Sequence, residues 1–103
     1  MKLLSLAALC LCASACTWVQ LESSGTQVRV VASDEPLSHC TFKGNITTSV
    51  TNRVAGIERN SMKVADELET LARNEAADLG ANVLQPQGKP VAGEQSFTAH
   101  YCR

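Results

Sequence analysis

The sequence predicts a small α+β domain, in which one helix packs on a small antiparallel sheet and the elements follow the order β-β-α-β-β. Two patterns support this fold class. Apolar residues recur at spacings of three and four in a single segment, which is typical of one amphipathic helix. Two short segments before it and two after it are rich in β-branched or alternating apolar residues, as strands are.

The predicted strands lie at 27–32, 40–51, 82–85 and 96–102. A turn over 33–36 separates the first two strands. Within the second strand, Gly44 and Asn45 interrupt the pattern, which indicates either a β-bulge or a tight hairpin. In the last strand, alternation places Phe97, Ala99 and Tyr101 on one face and Thr98, His100 and Cys102 on the other.

The single helix is predicted over 61–79. Asn60 or Ser61 can cap its first turn by accepting hydrogen bonds from free backbone amides. Gly80 suits the left-handed conformation that ends many helices. The apolar stripe that we expect to face the sheet consists of Ala65, Leu68, Leu71, Ala72, Ala76 and Leu79.

The start of the chain has the pattern of an export signal. Lys2 supplies a positive charge before the apolar run 3–11, which is too short to span a bilayer. The small residues 13–15 before Cys16 resemble the bacterial lipobox, and they also fit the rule of the ordinary signal peptidase. Both interpretations place cleavage before Cys16, and the lipobox makes Cys16 a lipidated first residue.

With this export signal, the chain is predicted to consist of three parts. We expect a lipoprotein signal peptide at 1–15, a lipid anchor and tether at 16–26, and a disulfide-stapled α+β domain at 27–103. The leader contains Cys10 and Cys12, and lipidation occupies Cys16. Cys40 and Cys102 then remain, and two thiols in an oxidising compartment favour a disulfide.

Composition excludes several classes of function. The chain has 103 residues, which is too short for two full-sized domains. Its net charge of −1, without a basic cluster, gives no electrostatic grip on nucleic acid. The serines do not fit a nucleophile elbow, and no Gly-rich run would cradle phosphate. We therefore expect a protein that is not an enzyme and needs no cofactor.

A metal site is the alternative use of the cysteines. His39 precedes Cys40, and His100 lies two residues before Cys102, so neighbouring strands would gather two thiols and two imidazoles, as in Cys2His2 zinc sites. However, the usual zinc-motif spacings are absent, and successive strand residues point to opposite faces. A structural disulfide beside two exposed histidines is therefore the preferred interpretation.

Cys40, Gly44, the segment 74–83 (NEAADLGANV) and Cys102 together resemble a family of small gammaproteobacterial lipoproteins defined as a domain of unknown function. More distantly, the chain is similar to the signalling domain of the outer-membrane lipoprotein that senses envelope stress for the Rcs phosphorelay. That resemblance implies a small sheet with a helix and disulfides. The chain departs from the stress sensor in two respects: it has residues for one disulfide instead of two, and a short tether replaces a long Pro-rich linker.

The resemblance implies a lipid-anchored protein of the outer membrane, because Thr17 rather than Asp follows the acylated Cys16. We expect it to face the periplasm, to touch the membrane through its N-terminal lipid, and to bind an envelope protein or sense stress. The alternative is a periplasmic module that binds a metal or small ligand through the Cys/His region.

Overall fold

A computed structural model describes residues 20–103, which form a sheet layer and a helix layer. The predicted signal peptide and Cys16 lie outside the described residues. The elements are a 3₁₀ helix at Ser23–Gln27, β1 at Arg29–Val30, β2 at Thr41–Ser49, β3 at Arg53–Val54, β4 at Ile57–Glu58, α1 at Ser61–Asp78, β5 at Val83–Pro86 and β6 at Glu94–Tyr101.

The main sheet has four strands in the order β1-β5-β6-β2. The predicted α+β class with one packed helix is confirmed. β6 pairs antiparallel with both β5 and β2, whereas β1 pairs parallel with β5, so the sheet is mixed and not wholly antiparallel as predicted. Parallel neighbours need a long crossover connection, and the chain between β1 and β5, which includes α1, supplies it.

The interruption in the second predicted strand is a β-bulge, and the hairpin alternative is wrong. β2 runs through the interruption as one strand of nine residues. Its register against β6 shifts between Phe42 and Gly44, which leaves Lys43 as the extra residue. β2 is an edge strand, and a bulge with a lysine is a common way to discourage pairing with another chain.

A small hairpin, β3–β4, is present that the sequence patterns do not indicate. Ala55 and Gly56 connect its strands with φ angles of 53° and 79°. Two consecutive positive φ angles are typical of the type I′ turn, which suits the twist of short hairpins. Strands of two residues are too short to show alternation, and alanine is an unusual residue for a left-handed position.

Both predicted ends of α1 are confirmed. The side chain of Asn60 accepts hydrogen bonds from the backbone amides of Met62 and Lys63. Gly80 has a φ of 80° just after the helix. The amides of Gly80 and Ala81 bond back to the carbonyls of Ala77 and Ala76, which is the Schellman arrangement.

The buried stripe of α1 keeps three of the six predicted residues, adds Val64, and lacks Ala65, Leu71 and Leu79. It consists of Val64, Leu68, Ala72 and Ala76, spaced by four. Ala65 and Leu71 are half-buried, and Leu79, which follows the last turn of the helix, is 39% exposed. The two buried alanines let the helix approach Ile46 and Phe97 closely within the main core. Among residues 20–103, no helix has the length and apolar character required to cross a membrane.

We expect Leu68→Ala to lower the free energy of unfolding by about 2–5 kcal/mol, because the Leu68 side chain is fully buried. Leu79→Ala removes the same atoms from an exposed position. It should change the free energy of unfolding by less than about 1 kcal/mol. Chemical denaturation of the oxidised proteins measures both values. Equal losses for the two variants would contradict the observed stripe.

Candidate functional site

The predicted disulfide between Cys40 and Cys102 is present. The sulfur atoms are 2.00 Å apart, and the two residues are separated by 62 positions in the chain. Cys40 immediately precedes β2 and Cys102 immediately follows β6, next to the strand pair Thr41–Tyr101. The bond therefore closes the end of the longest strand pair in the described chain.

The disulfide also belongs to a small second core. Val31, Val83 and Cys102 are buried together, and Leu37 packs against them with Cys40. Leu84, the next residue along β5, belongs to the main core instead. Because successive strand residues face opposite ways, this second core lies on the sheet face that α1 does not cover.

Asn82 fixes the end of the chain beside the disulfide. Its side-chain amide donates to the carbonyl of Cys102 at 2.7 Å, and its side-chain oxygen accepts from the amide of Cys102 at 2.8 Å. This pair of bonds mimics a strand pairing just beyond the end of β6. The sequence indicates Asn82 only as the start of a strand, because a contact across 20 positions leaves no local pattern.

The structure brings one of the two histidines to the cysteines. A ring nitrogen of the exposed His39 and the two sulfur atoms lie within 4.8 Å of one another. His100 is not in this group. Its Nε2 lies 2.9 Å from the hydroxyl of Thr98, and its ring meets that of Phe42 edge-on at 5.7 Å. The predicted set of two cysteines and two histidines is therefore not assembled.

The chemistry of the remaining group depends on the disulfide. Thiolates, not disulfide sulfurs, are the zinc ligands that cysteine provides. In the oxidised protein, His39 is therefore the one good ligand of these three residues.

Part of the predicted tether is folded against α1. We call residues 20–27 the N-terminal strap. The side-chain oxygen of Asn74 accepts from the amide of Glu22 at 2.8 Å, and its NH2 group donates to the carbonyl of Gln20 at 2.9 Å. The described domain thus includes residues that the sequence assigns to a free tether.

Gly25 explains how the strap lies so close to the helix. It is buried, and a Cβ atom at this position would lie 2.5 Å from the side-chain oxygen of Asn74 and 2.8 Å from Leu21. Asn74 has little freedom to move away, since its side chain is held by two hydrogen bonds. A side chain at position 25 would therefore loosen the strap.

A groove of about 410 Å³ opens at the N-terminal end of α1. Its lining includes Arg59, Met62, Lys89, Pro90 and Gly93. Arg59 pairs with Glu67 at 2.7 Å, and this hydrogen bond raises the pKa of the Arg59 guanidinium. Sequence patterns do not indicate the groove, because its walls come from segments far apart in the chain.

These features define a two-layer α+β domain. One disulfide joins the ends of two neighbouring strands, β2 and β6, and the N-terminal strap packs against the helix. The chain matches the family described as Domain of unknown function (DUF4156) over residues 19–102, and it belongs to that family. The matched range includes every described element. No curated protein and no solved structure matches the chain. The predicted membership of a family of unknown function is thus confirmed.

We expect the double variant Cys40→Ala/Cys102→Ala to lose up to about 4 kcal/mol of unfolding free energy, because the disulfide closes a long loop in the unfolded chain. Reductant should lower the melting temperature of the parent protein and leave that of the double variant unchanged. Equal melting temperatures of the parent with and without reductant would contradict a stabilising role of the bond.

Proposed function

We propose that the protein is a lipid-anchored, non-enzymatic envelope protein that faces the periplasm from the outer membrane. Its domain would bind an envelope protein or sense envelope stress. The observation that carries this proposal is the distribution of the cysteines. Of the three cysteines from position 16 onward, Cys40 and Cys102 bond to each other, and Cys16 follows the small residues 13–15 of the lipobox-like site.

The disulfide supports an exported protein. Stable disulfides form in oxidising compartments such as the bacterial periplasm and are rare in the cytosol. The domain is also small, and a covalent bond compensates for the limited apolar core that a chain of this size can bury. Export and the disulfide are therefore mutually consistent.

One surface of the domain is available for binding a partner. The sheet face away from α1 carries Asn45, Thr47, Ser96, Thr98, His100 and Phe42, and we call it the open sheet face. The hydroxyls of Thr47 and Ser96 lie 3.3 Å apart across two strands. Phe42 is 55% exposed and adds an aromatic group to a polar surface. Aromatic residues are enriched at protein–protein interfaces, so Phe42 is the residue of this face that a partner would contact.

The proposed relation to the Rcs stress sensor rests on the α+β fold with its disulfide, and it has a specific limit. The strap begins at Gln20, so at most a few residues connect it to Cys16. A role that requires a long linker to thread another protein does not suit this chain. We therefore propose a domain that acts close to the membrane surface.

The intact mass of the full chain, purified from its native membranes, tests the anchor. We expect a mature protein that begins at Cys16, carries a diacylglycerol and an acyl chain, and lacks two daltons because of the disulfide. The variant Cys16→Ala should be free of lipid and leave the membrane fraction, since a single polypeptide without its acyl chains has no anchor. An unmodified amino end on the parent protein would overturn the proposal.

A second candidate function is metal binding in the reduced state, which the position of His39 favours. A dithiol reductant would break the S–S bond by exchange and become a disulfide itself, while Cys40 and Cys102 each gain a proton. Zinc would then displace these two protons and bind two thiolates and the His39 imidazole. Three protein ligands leave the fourth position of a tetrahedral site open.

Titration of the reduced and oxidised proteins with zinc chloride tests this second function. We expect the parent protein to bind one equivalent of zinc only when it is reduced. Reduced His39→Gln should bind zinc at least tenfold more weakly, because one of three ligands is lost. His100→Gln is the matched control and should bind like the parent, since His100 lies outside the group. Equal affinity of the two variants would exclude the site.

A further inference from the structure

We infer that the N-terminal strap mounts the domain on the bilayer in one orientation, with the outer face of α1 toward the lipid and the open sheet face away from it. This inference rests on the proposed lipid anchor at Cys16. It adds to the anchor a defined membrane-facing surface, and it identifies the surface that remains available to a partner.

The first step is that the strap is fixed to the domain. Asn74 bonds to the backbone of both Gln20 and Glu22, and Gly25 is buried close to the Asn74 side chain. The strap then continues into β1 through Val28, whose carbonyl accepts from Arg73 at 3.2 Å. The chain is therefore held at several points from Gln20 onward, and its starting point on the domain is defined.

The second step is where on the helix the strap begins. Ala72 and Ala76 are fully buried against the sheet. Asn74 lies two residues from each, and two residues rotate the helix by about 200°, so Asn74 is on the opposite side. The strap thus crosses from the sheet edge at β1 around α1 and reaches its outer face. The layers follow the order strap, helix, sheet.

The third step is the reach of the remaining chain. Cys16 is four positions before Gln20, and an extended chain spans at most about 3.5 Å per residue, or about 14 Å in total. An acylated Cys16 lies at the bilayer surface. Because the helix layer and the sheet layer are each about 10 Å thick, the reach is too short for the sheet to turn toward the lipid while the strap stays bound.

The charges of this surface define how it meets the lipid. The outer row of α1, spaced by four, consists of Asp66, Thr70, Asn74 and Asp78. Asp66 and Asp78 are exposed, as is Glu22 of the strap. They outnumber the exposed Lys63, which lies on the same side of the helix as Asn74 because eleven residues make about three full turns. An acidic surface is not attracted to anionic lipids. The orientation therefore comes from the short connection and the strap, and the helix lies at the bilayer without inserting into it.

The test uses the full lipidated protein in nanodiscs of zwitterionic phospholipid that include a lipid with a paramagnetic headgroup. We expect several-fold stronger broadening of the backbone amide signals of Thr70 and Asn74 than of Thr47 and Thr98, which lie on the open sheet face. Equal broadening of the two sets would overturn the inference. Protein that does not stay on the nanodiscs would overturn the anchor itself, which is a separate result.

Two variants and a control complete the test. A flexible Gly-Ser linker of about twelve residues between Val19 and Gln20 adds a reach of about 19 Å. It should abolish the difference in amide broadening between the α1 residues and the open sheet face, while the protein stays on the membrane. Asn74→Ala removes both strap bonds and should reduce the difference. Asn45→Ala changes an asparagine on the open sheet face and should preserve it. A difference that survives the linker would overturn the inference.

Discussion

The pairing of β2 with β6 is the interaction on which the rest of the fold depends. It extends over most of both strands, and it places Ile46 and Phe97 opposite each other in the main core. The Cys40–Cys102 bond closes one end of this pair. At the other end, the amide of Val50 donates to the carbonyl of Gly93 at 2.8 Å. In a domain this small, closing both ends restricts fraying of its longest strand pair.

Helix α1 connects this sheet to the start of the chain. Its buried side fits the sheet closely because two of the four stripe residues are alanines, and Thr48 donates from the sheet to the carbonyl of Leu68 at 3.2 Å. Its other side holds the strap through Asn74. A single helix therefore connects the N-terminal strap to the core. In our proposal, this connection fixes the orientation of the domain relative to its lipid anchor.

Much of the fold and part of the site follow from local patterns. The helix and its caps, the turn before Pro36 and the strands around Val83 and Phe97 have short-range causes, and the structure has them. The parallel pairing of β1, the β3–β4 hairpin and the docking of the strap do not. Each depends on contacts between distant segments or on strands of two residues, which carry no periodic signal.

The sequence by itself determined the α+β class, the helix limits and the pairing of Cys40 with Cys102, because propensity, capping and cysteine number act locally or by count. The tertiary structure alone decided that Gly44 marks a bulge, that His39 rather than His100 lies at the disulfide, and that Asn74 holds the strap. The physical reason is register: a shift of one residue moves a side chain to the opposite face of a sheet, and only the complete set of contacts selects that shift.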